Sequence, residues 1–236
     1  MIPRPSDGGW GVAVFDLVIF DCDGVLIDSE IISARMLIEE LAQLGVRIDL
    51  DYVARHFLGR SYPTVMAQIR REFGLDLPPA FEDRYRDRLL AEFQRSLRVM
   101  PGVPEVMDAL AVPFCVATSS SPRRAEMSLE LTGLRDRVGD RLFTASQVAH
   151  GKPAPDLFLF AAAAMGADPA RTLVIEDSRT GLRAGLAAGM QVWHFTGGSH
   201  FAGWSADDEG EEARPHRRFD AFADFFQTAP ALRRPQ

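Results

Sequence analysis

The sequence lacks several features that would place it in a specialised class of protein. It has only two cysteines, Cys22 and Cys115, too few for a disulfide framework or a cysteine-based zinc site. Both lie in apolar contexts, where we expect small packed side chains in a reducing compartment. The longest apolar run, near residues 157–167, is too short to span a bilayer. Residues 1–11 lack the apolar core of a signal peptide and are expected to form a loose leader.

An excess of positive charge is also absent. The formal net charge is −7 over 236 residues, which argues against a nucleic-acid partner but permits a local basic pocket for phosphate. With 47% hydrophobic and 25% charged residues, the composition is that of an ordinary soluble globular protein. The length allows one large domain, or a core with a small insert. We therefore expect a monomeric cytoplasmic enzyme or binding protein, with no nucleic-acid and no membrane partner.

The chain is organised around residues 15–30, which read FDLVIFDCDGVLIDSE. A short apolar run, predicted to be a buried strand, stops at Asp21 and Asp23. Two carboxylates at the edge of a core are costly unless they are used or neutralised. After the turn, residues 28–30 (DSE) predict the capped start of a helix over residues 31–44.

Phosphoryl transfer gives this Asp-x-Asp pair a chemical use. Asp21 could attack phosphorus and form an aspartyl-phosphate, which divides one difficult displacement into two easier ones. Asp23 could protonate the leaving oxygen and later accept a proton from water. A hard cation between a carboxylate and the substrate phosphate would neutralise charge during transfer. A calcium-type loop or a solvated turn explains these two residues equally well when they are taken alone.

The order of predicted elements indicates an α/β fold with a helical insert. No strand is predicted between residues 49 and 97, where helices alternate with glycine and proline breaks. From Met100 onward, strands alternate with helices, which implies a doubly wound parallel sheet with helices on both faces. We assign residues 11–30 and 98–236 to a discontinuous catalytic core and residues 31–97 to an inserted α-helical cap domain. Ligands in such folds bind beyond the carboxyl ends of the strands.

The tail carries two further patterns. Residues 207–212 (DDEGEE) predict an acidic surface loop. The aromatic residues Phe219, Phe222, Phe225 and Phe226 recur at helical spacing. We expect these rings to dock a last helix on the core.

Polar side chains follow two of the later strands. Thr118 ends one strand and precedes three serines at a predicted helix start, where hydroxyls and backbone N–H groups can cradle a phosphate. Simple helix capping by Ser120 or Ser121 is an equally good explanation. Lys152 follows the next strand and is held between a glycine and a proline, which favours a positioned charge over a mobile surface lysine.

A second carboxylate pair, Glu176 and Asp177, lies at the end of the strand predicted over residues 172–176. It would repel the first pair, Asp21 and Asp23, unless a cation lies between them. Oxygen ligands of this kind point to Mg²⁺.

Four stretches, DCDGVLIDSE, the strand end at Thr118, GKPAPD and VIEDSRTGLRAGLAAGM, occur in the order of the motifs of the haloacid-dehalogenase-like hydrolase superfamily. The chain resembles its subfamily I, which has a helical cap, and within it the branch of small-metabolite phosphatases and beta-phosphoglucomutase. The resemblance covers residues 15–195. It implies a Rossmannoid core, hydrolysis of a small phosphorylated metabolite through an aspartyl-phosphate, and Mg²⁺ as cofactor.

The resemblance also assigns roles to individual residues. The catalytic residues are the nucleophile Asp21, the general acid and base Asp23, the phosphoryl-binding Thr118 and the charge-balancing Lys152. The substrate-binding residues are Ser119, Ser120 and Arg60. The metal ligands are Asp21, the backbone carbonyl of Asp23, Asp177, and Glu176 either directly or through water.

Departures from the family pattern narrow the reaction. Asp23 is present, so removal of halogen, which leaves no alkoxide to protonate, is disfavoured. Beta-phosphoglucomutase carries a histidine on its first cap helix, and Ser33 stands at the position that we match to it, which favours transfer to water over a mutase reaction. A non-catalytic binding module would be expected to have lost a catalytic residue, and none is lost. We expect a sugar phosphate or sugar-acid phosphate, contacted by Arg60, Arg123 or Arg124 unless these arginines are only solvated.

Overall fold

The computed structural model describes residues 15–77, 80–202 and 211–235. The predicted leader, the double-proline break at residues 78–79 and most of the acidic loop fall outside these residues. Within them, no helix is long and apolar enough to cross a bilayer.

Six strands of the described chain form one parallel sheet in the order β3-β2-β1-β4-β5-β6. They are β1 (Leu17–Phe20), β2 (Phe114–Thr118), β3 (Leu142–Thr144), β4 (Thr172–Glu176), β5 (Gln191–Phe195) and β6 (Arg217–Phe219). In the central strand, Val18 and Phe20 point into one apolar cluster while Leu17 and Ile19 point into a second. Because successive side chains of a strand face opposite ways, both faces of the sheet are covered, and the doubly wound α/β fold is confirmed.

Helices connect the strands and cover both faces of the sheet. They are α1 (Glu30–Gln43), α2 (Leu50–His56), α3 (Tyr62–Phe73), α4 (Ala80–Ser96), α5 (Val103–Ala109), α6 (Pro122–Leu131), α7 (Arg135–Val138), α8 (Asp156–Ala164), α9 (Arg179–Ala187) and α10 (Phe225–Thr228). Since all strands run parallel, the residues at their carboxyl ends meet at one edge of the sheet.

Helices α1 to α4 form the helical block between β1 and β2. Its α1 and α4 are joined by Glu40, whose fully buried carboxylate pairs with Arg84 at 3.3 Å and with Arg88. Apolar side chains of these helices, such as Leu41 and Phe93, share one continuous cluster with side chains of the sheet. The division into a core (residues 11–30 and 98–236) and a cap (residues 31–97) stays a prediction.

Two sequence predictions are wrong in detail. The four phenylalanines of the tail do not lie on one helix, because Phe219 ends strand β6 and only Phe225 and Phe226 belong to α10. A spacing of three residues fits a strand followed by a tight turn as well as it fits a helix. The rings still pack on the core, with Phe222 lying 4.7 Å from Phe195. At the start of α1, Ser29 makes no side-chain cap, since its hydroxyl bonds elsewhere.

Candidate active site

The turn after β1 brings two carboxylates to the carboxyl edge of the sheet. The backbone N–H of Asp21 donates to the carbonyl of Ile175 at 2.9 Å, which fixes the strand end between its neighbours. Gly24 then turns the chain with φ +77°, and a Cβ at this position would lie 1.9 Å from Oδ2 of Asp177. Only glycine combines this conformation with so close an approach, so the turn requires it.

The ammonium of Lys152 is the centre of the charge network. Its Nζ donates to Oδ1 of Asp21 at 2.6 Å, to Oε1 of Glu176 at 2.6 Å and to the carbonyl of Ala117 at 2.9 Å, which uses all three donors. Burial opposes the charged form, but Asp21 and Glu176 outweigh it and raise the pKa of Lys152 above its usual value. Lys152 is therefore a buried, fully hydrogen-bonded cation, and it is the only lysine in the sequence.

Three buried carboxylates crowd around this lysine. Oxygen atoms of Asp21, Glu176 and Asp177 all lie within 4.8 Å of one another. Burial raises the pKa of Asp21 and of Asp177 well above the usual value, and the neighbouring carboxylates raise both further, whereas Lys152 opposes the rise. One lysine balances only one of three negative charges, so the cluster has the charge and the oxygen donors that suit Mg²⁺.

Glu176 is more constrained than the other two carboxylates. Beside its bond to Lys152, its second oxygen accepts from the backbone N–H of Asp177 at 3.0 Å and of Ser178 at 3.1 Å, and from the Ser178 hydroxyl at 3.0 Å. Ser178 also caps α9 by accepting from the N–H of Gly181 at 3.0 Å. The strand end and the following helix therefore hold Glu176 in one orientation.

The side chain of Asp23 lies outside the acidic cluster and has its own set of donors. Oδ1 accepts from Ser29 and from Arg124, each at 2.6 Å, and Oδ2 accepts from Ser120 at 2.6 Å and from Thr118 at 3.4 Å. Burial would raise the pKa of Asp23, but Arg124 and the two serine hydroxyls outweigh it and hold the pKa below its usual value. Asp23 is thus an anion in this arrangement.

Arg124 links this carboxylate to the helical block. The sequence left it open whether Arg124 is solvated or touches the site, and the structure places it within the site. Its guanidinium also donates to the hydroxyl of Ser33 on α1 at 3.2 Å and lies 5.3 Å from the ring of Phe93 on α4. Arg123, the adjacent arginine, is exposed.

A cavity of about 470 Å³ separates the strand ends from the helical block. The predicted residues that line it are Asp21, Asp23, Arg60, Thr118, Ser119, Ser120, Arg123, Arg124, Lys152 and Glu176. Asp177 does not line it but joins the acidic cluster behind Asp21.

The predicted substrate-binding residues differ in their surroundings. Arg60 is exposed, and its guanidinium donates to Gln68 on α3 at 3.0 Å. The hydroxyl of Ser119 donates to the carbonyl of Gly59 at 3.1 Å, across the cavity mouth. Neither Ser120 nor Ser121 caps α6 with its side chain, so the helix-capping interpretation is wrong for both.

Two residues of the site were missed by sequence reasoning. Glu30, on the first turn of α1, lines the cavity, and burial together with Asp23 and Asp177 raises its pKa from 4.5 to about 8. His200 is buried with its Nε2 3.1 Å from Oδ2 of Asp177. The sequence pattern at Glu30 indicates only a helix start, and His200 lies beyond the four motifs. The sequence therefore does not indicate a role in the site for either residue.

Comparison with known proteins agrees with this geometry. A family model described as haloacid dehalogenase-like hydrolase matches residues 15–189. The 6-phosphogluconate phosphatase of Escherichia coli (strain K12) is 28% identical over 186 residues, which cover 78% of this chain and 84% of that protein. Fructose-1-phosphate phosphatase YqaB of the same strain is 34% identical over 178 residues, covering 74% and 93%. A solved HAD family hydrolase from Deinococcus radiodurans R1, with bound phosphate and sodium, is 34% identical with a TM-score of 0.73, covering 95% of this chain and 100% of that one.

Proposed function

The chain belongs to the haloacid dehalogenase-like hydrolase family, and we propose that it hydrolyses a phosphomonoester with Mg²⁺ through an aspartyl-phosphate on Asp21. It is a phosphatase for a small phosphorylated metabolite, as its named relatives are. The observation that carries the proposal is the buried Lys152 ammonium, which lies 2.6 Å from both Asp21 and Glu176 at the cavity floor. A cation between a nucleophile and an acidic cluster suits the transfer of an anionic group.

The acidic cluster supports Mg²⁺ as the cofactor. Asp21, Asp177 and the backbone carbonyl of Asp23 would hold the ion, with Glu176 as a direct or water-mediated ligand. The hydrogen bonds already accepted by both oxygens of Glu176 favour the water-mediated position. When bound there, the ion would neutralise negative charge on the phosphoryl group during transfer.

The first step forms the aspartyl-phosphate. An oxygen of Asp21 attacks phosphorus while the bond between phosphorus and the ester oxygen breaks. The ester oxygen takes a proton from Asp23 and leaves as part of the alcohol product. Lys152 remains protonated and holds the attacking carboxylate in place. Thr118 and Ser119 would donate to the phosphoryl oxygens.

The second step returns the enzyme to its starting state. Water attacks phosphorus, the bond from phosphorus to Asp21 breaks, and Asp23 accepts the proton of the water. Inorganic phosphate and the carboxylate of Asp21 are the products. The ionised form of Asp23, which Arg124 favours by lowering its pKa, is the form that this step requires.

Asp23 must carry a proton for the first step, so Arg124 has to leave it when substrate enters. Two other contacts of Arg124, Ser33 and Phe93, lie on α1 and α4. Movement of these helices would therefore shift the surroundings of Arg124. We propose that residues 31–97 form a cap that closes over the cavity during transfer and reopens to release product.

We propose a sugar phosphate or a sugar-acid phosphate as the substrate. The named Escherichia coli phosphatases act on one of each, and the cavity offers hydroxyl and cationic side chains to a polar ligand. A mutase reaction has less support, because the hydroxyl of Ser33 donates to the carbonyl of Ser29 at 2.9 Å and accepts from Arg124. That serine has no basic group with which to move a proton.

Phosphate release from 6-phosphogluconate, fructose 1-phosphate and phosphoglycolate tests the proposal. We expect turnover that needs Mg²⁺, stops with chelator and falls about 10⁴-fold or more in Asp21→Asn. Label from a ³²P-substrate should be trapped on Asp21. Isomerisation of sugar phosphates without net phosphate release would replace this proposal with a mutase. Ligand binding without any turnover would replace it with a binding module.

A further inference from the structure

The loop after β5 packs against the turn that carries the two reactive aspartates. Its 3₁₀ turn, Ser199–Phe201, is attached to that turn by Asp28, whose Oδ1 accepts from the backbone N–H of Ser199 at 3.0 Å and from its hydroxyl at 2.8 Å. A Cβ on Gly198 would lie 2.5 Å from the ring of His200 and 3.2 Å from the carbonyl of Gly24. The loop is therefore built so that the imidazole ring lies directly against the backbone of the aspartate turn.

This loop places His200 against Asp177, and neither residue lines the cavity. The ring is buried, has its centroid 4.2 Å from that of the tilted Phe201 ring, and has its Nε2 3.1 Å from Oδ2 of Asp177. The backbone of Asp177 is held separately, because Nε2 of His194 lies 3.0 Å from its carbonyl oxygen. Two histidines from one strand and its loop thus contact the same aspartate at different atoms.

A carboxylate in a metal site needs such support. A carboxylate that binds a cation through one oxygen can accept a hydrogen bond at the other. The donor of that hydrogen bond fixes the orientation of the carboxylate group. Oδ2 of Asp177 accepts no hydrogen bond from the described residues, and Nε2 of His200, 3.1 Å away, is placed to supply one. Without His200, the Asp177 carboxylate could rotate away from Asp21 and Glu176, which its mutual repulsion with both favours.

We propose that His200 is a positioning residue for Asp177: the N–H of its Nε2 donates to Oδ2 and holds the carboxylate beside Asp21 and Glu176, ready for Mg²⁺. The proposal rests on the function proposed above, since it concerns affinity for the same ion. His200 touches neither substrate nor reacting atoms. Its loss should therefore weaken Mg²⁺ binding far more than it slows turnover at saturating Mg²⁺.

Mg²⁺ binding without substrate provides the test. The melting temperature of the full chain would be titrated with Mg²⁺ to obtain an apparent Kd, and phosphate release would then give the KM for Mg²⁺ and kcat. In His200→Leu, which has no N–H, we expect the apparent Kd to rise about 10–100-fold. In His200→Gln, whose amide can donate from a similar position, it should stay near the wild-type value.

Two further variants serve as controls. His150→Leu makes the same replacement at an exposed histidine, whose ring pairs with Asp156 at 3.1 Å, and should leave the Kd unchanged. Ser199→Ala loosens the loop without altering the buried ring and should raise the Kd less than His200→Leu. This milder variant keeps the test valid if His200→Leu does not fold.

The outcomes separate this proposal from the one on which it rests. Mg²⁺ affinity in a folded His200→Leu equal to wild type, or equal weakening in His200→Gln and His200→Leu, would overturn the role of the N–H. An unchanged Kd in Ser199→Ala would overturn the role of the loop. If the wild-type chain itself shows no stabilisation by Mg²⁺, the metal-dependent function fails, and the positioning role fails with it.

Discussion

The two walls of the cavity differ in the polarity and the burial of their side chains. On the strand-end wall, charged groups are buried and bonded to one another at about 2.6 Å, as Lys152 is to Asp21 and Glu176. The helical wall is mostly apolar, with Leu37, Val53, Phe57, Leu89 and Leu90. Its arginines Arg60 and Arg86 are exposed, and the guanidinium of Arg60 bonds to Gln68 on the same block.

We propose that the strand-end wall serves catalysis and that the helical wall serves substrate recognition. A buried ion network tolerates little change, because removing one member leaves the others without compensation in a low dielectric. Side chains on an apolar and partly exposed wall can be exchanged at small cost. We therefore expect substitutions on the strand-end wall to abolish turnover for every substrate, and substitutions on the helical wall to change which substrate is preferred.

Replacement of Lys152 should give the largest effect. Lys152→Met keeps the length of the side chain but leaves Asp21 and Glu176 without their shared cation. We expect kcat to fall about 10³-fold or more and the free energy of unfolding to drop by about 3–5 kcal/mol. Urea unfolding and phosphate release measure the two quantities.

Lys152→Arg is the matched control for charge. The chain carries 25 arginines and this one lysine, and the Lys152 side chain is 1% exposed, so a planar guanidinium has little room there. We expect partial stability and low activity from it. Activity of Lys152→Met within about tenfold of wild type would contradict the interpretation of the strand-end wall as a network of interdependent buried charges.

Replacement of Asp23 should give the next largest loss of activity, and the size of that loss should depend on the leaving group of the substrate. Asp23→Asn cannot give a proton to an alkoxide, so release from a sugar phosphate should fall about 10²–10⁴-fold. p-Nitrophenyl phosphate, whose leaving group departs unprotonated, should lose much less in the first step. Single-turnover rates on both esters provide the measurement. Equal losses on the two esters would remove Asp23 from the role of general acid.

The crowded carboxylates should also make stability depend on pH. Glu30 has a pKa raised from 4.5 to about 8, first by burial and then by Asp23 and Asp177, so the folded protein retains a proton that the unfolded chain releases. Stability from this group is therefore lost as pH rises toward about 8. Between about pH 6.5 and pH 8, we expect the free energy of unfolding without metal to decrease by about 1–2 kcal/mol.

Urea unfolding in chelator across that pH range checks this expectation. Glu30→Gln removes one of the titrating groups and should make the decrease smaller, with Asp21 and Asp177 giving the remainder. Arg55→Gln, on the outer surface of the helical block, should leave the decrease unchanged. A wild-type chain whose stability increases between these pH values would contradict the sign.

The strand-end wall could be predicted from the sequence because the position of each of its residues is set by a strand that lies near it in the sequence. Asp21 follows β1 directly, Thr118 and Glu176 end β2 and β4, and Lys152 lies in the segment after β3. Parallel strands bring such positions to one edge of the sheet. Asp21, Thr118, Lys152 and Glu176 accordingly line one cavity, and their roles in it stay predictions. The sheet and most helices follow from the same periodicities.

The remaining features depend on contacts between distant parts of the chain. Strand β6 has three residues, and only its pairing with β5 distinguishes it from a turn of helix. The pairing of Arg124 with Asp23 spans 101 positions, and His200 reaches Asp177 from a loop with no periodic pattern. The residue types of Arg124 and His200 alone did not indicate which carboxylate each side chain would contact.

Arg60 on the helical wall should give the smallest effect. Its guanidinium bonds only to Gln68 among the contacts of the described chain, so Arg60→Gln leaves no buried charge and should not alter the free energy of unfolding measurably. If this arginine contacts the acid group of a sugar-acid phosphate, KM for 6-phosphogluconate should rise up to about tenfold while kcat is retained.

Fructose 1-phosphate supplies the contrast for this variant, because it has no carboxylate and its KM should be unchanged. Arg55→Gln is again the matched control, as Arg55 is exposed on α2 and does not line the cavity. An equal rise in KM for both substrates would mean that Arg60 serves the shape of the wall rather than recognition of charge. A fall in kcat would place Arg60 with the strand-end residues, and the division between chemistry and recognition would then not follow the two walls.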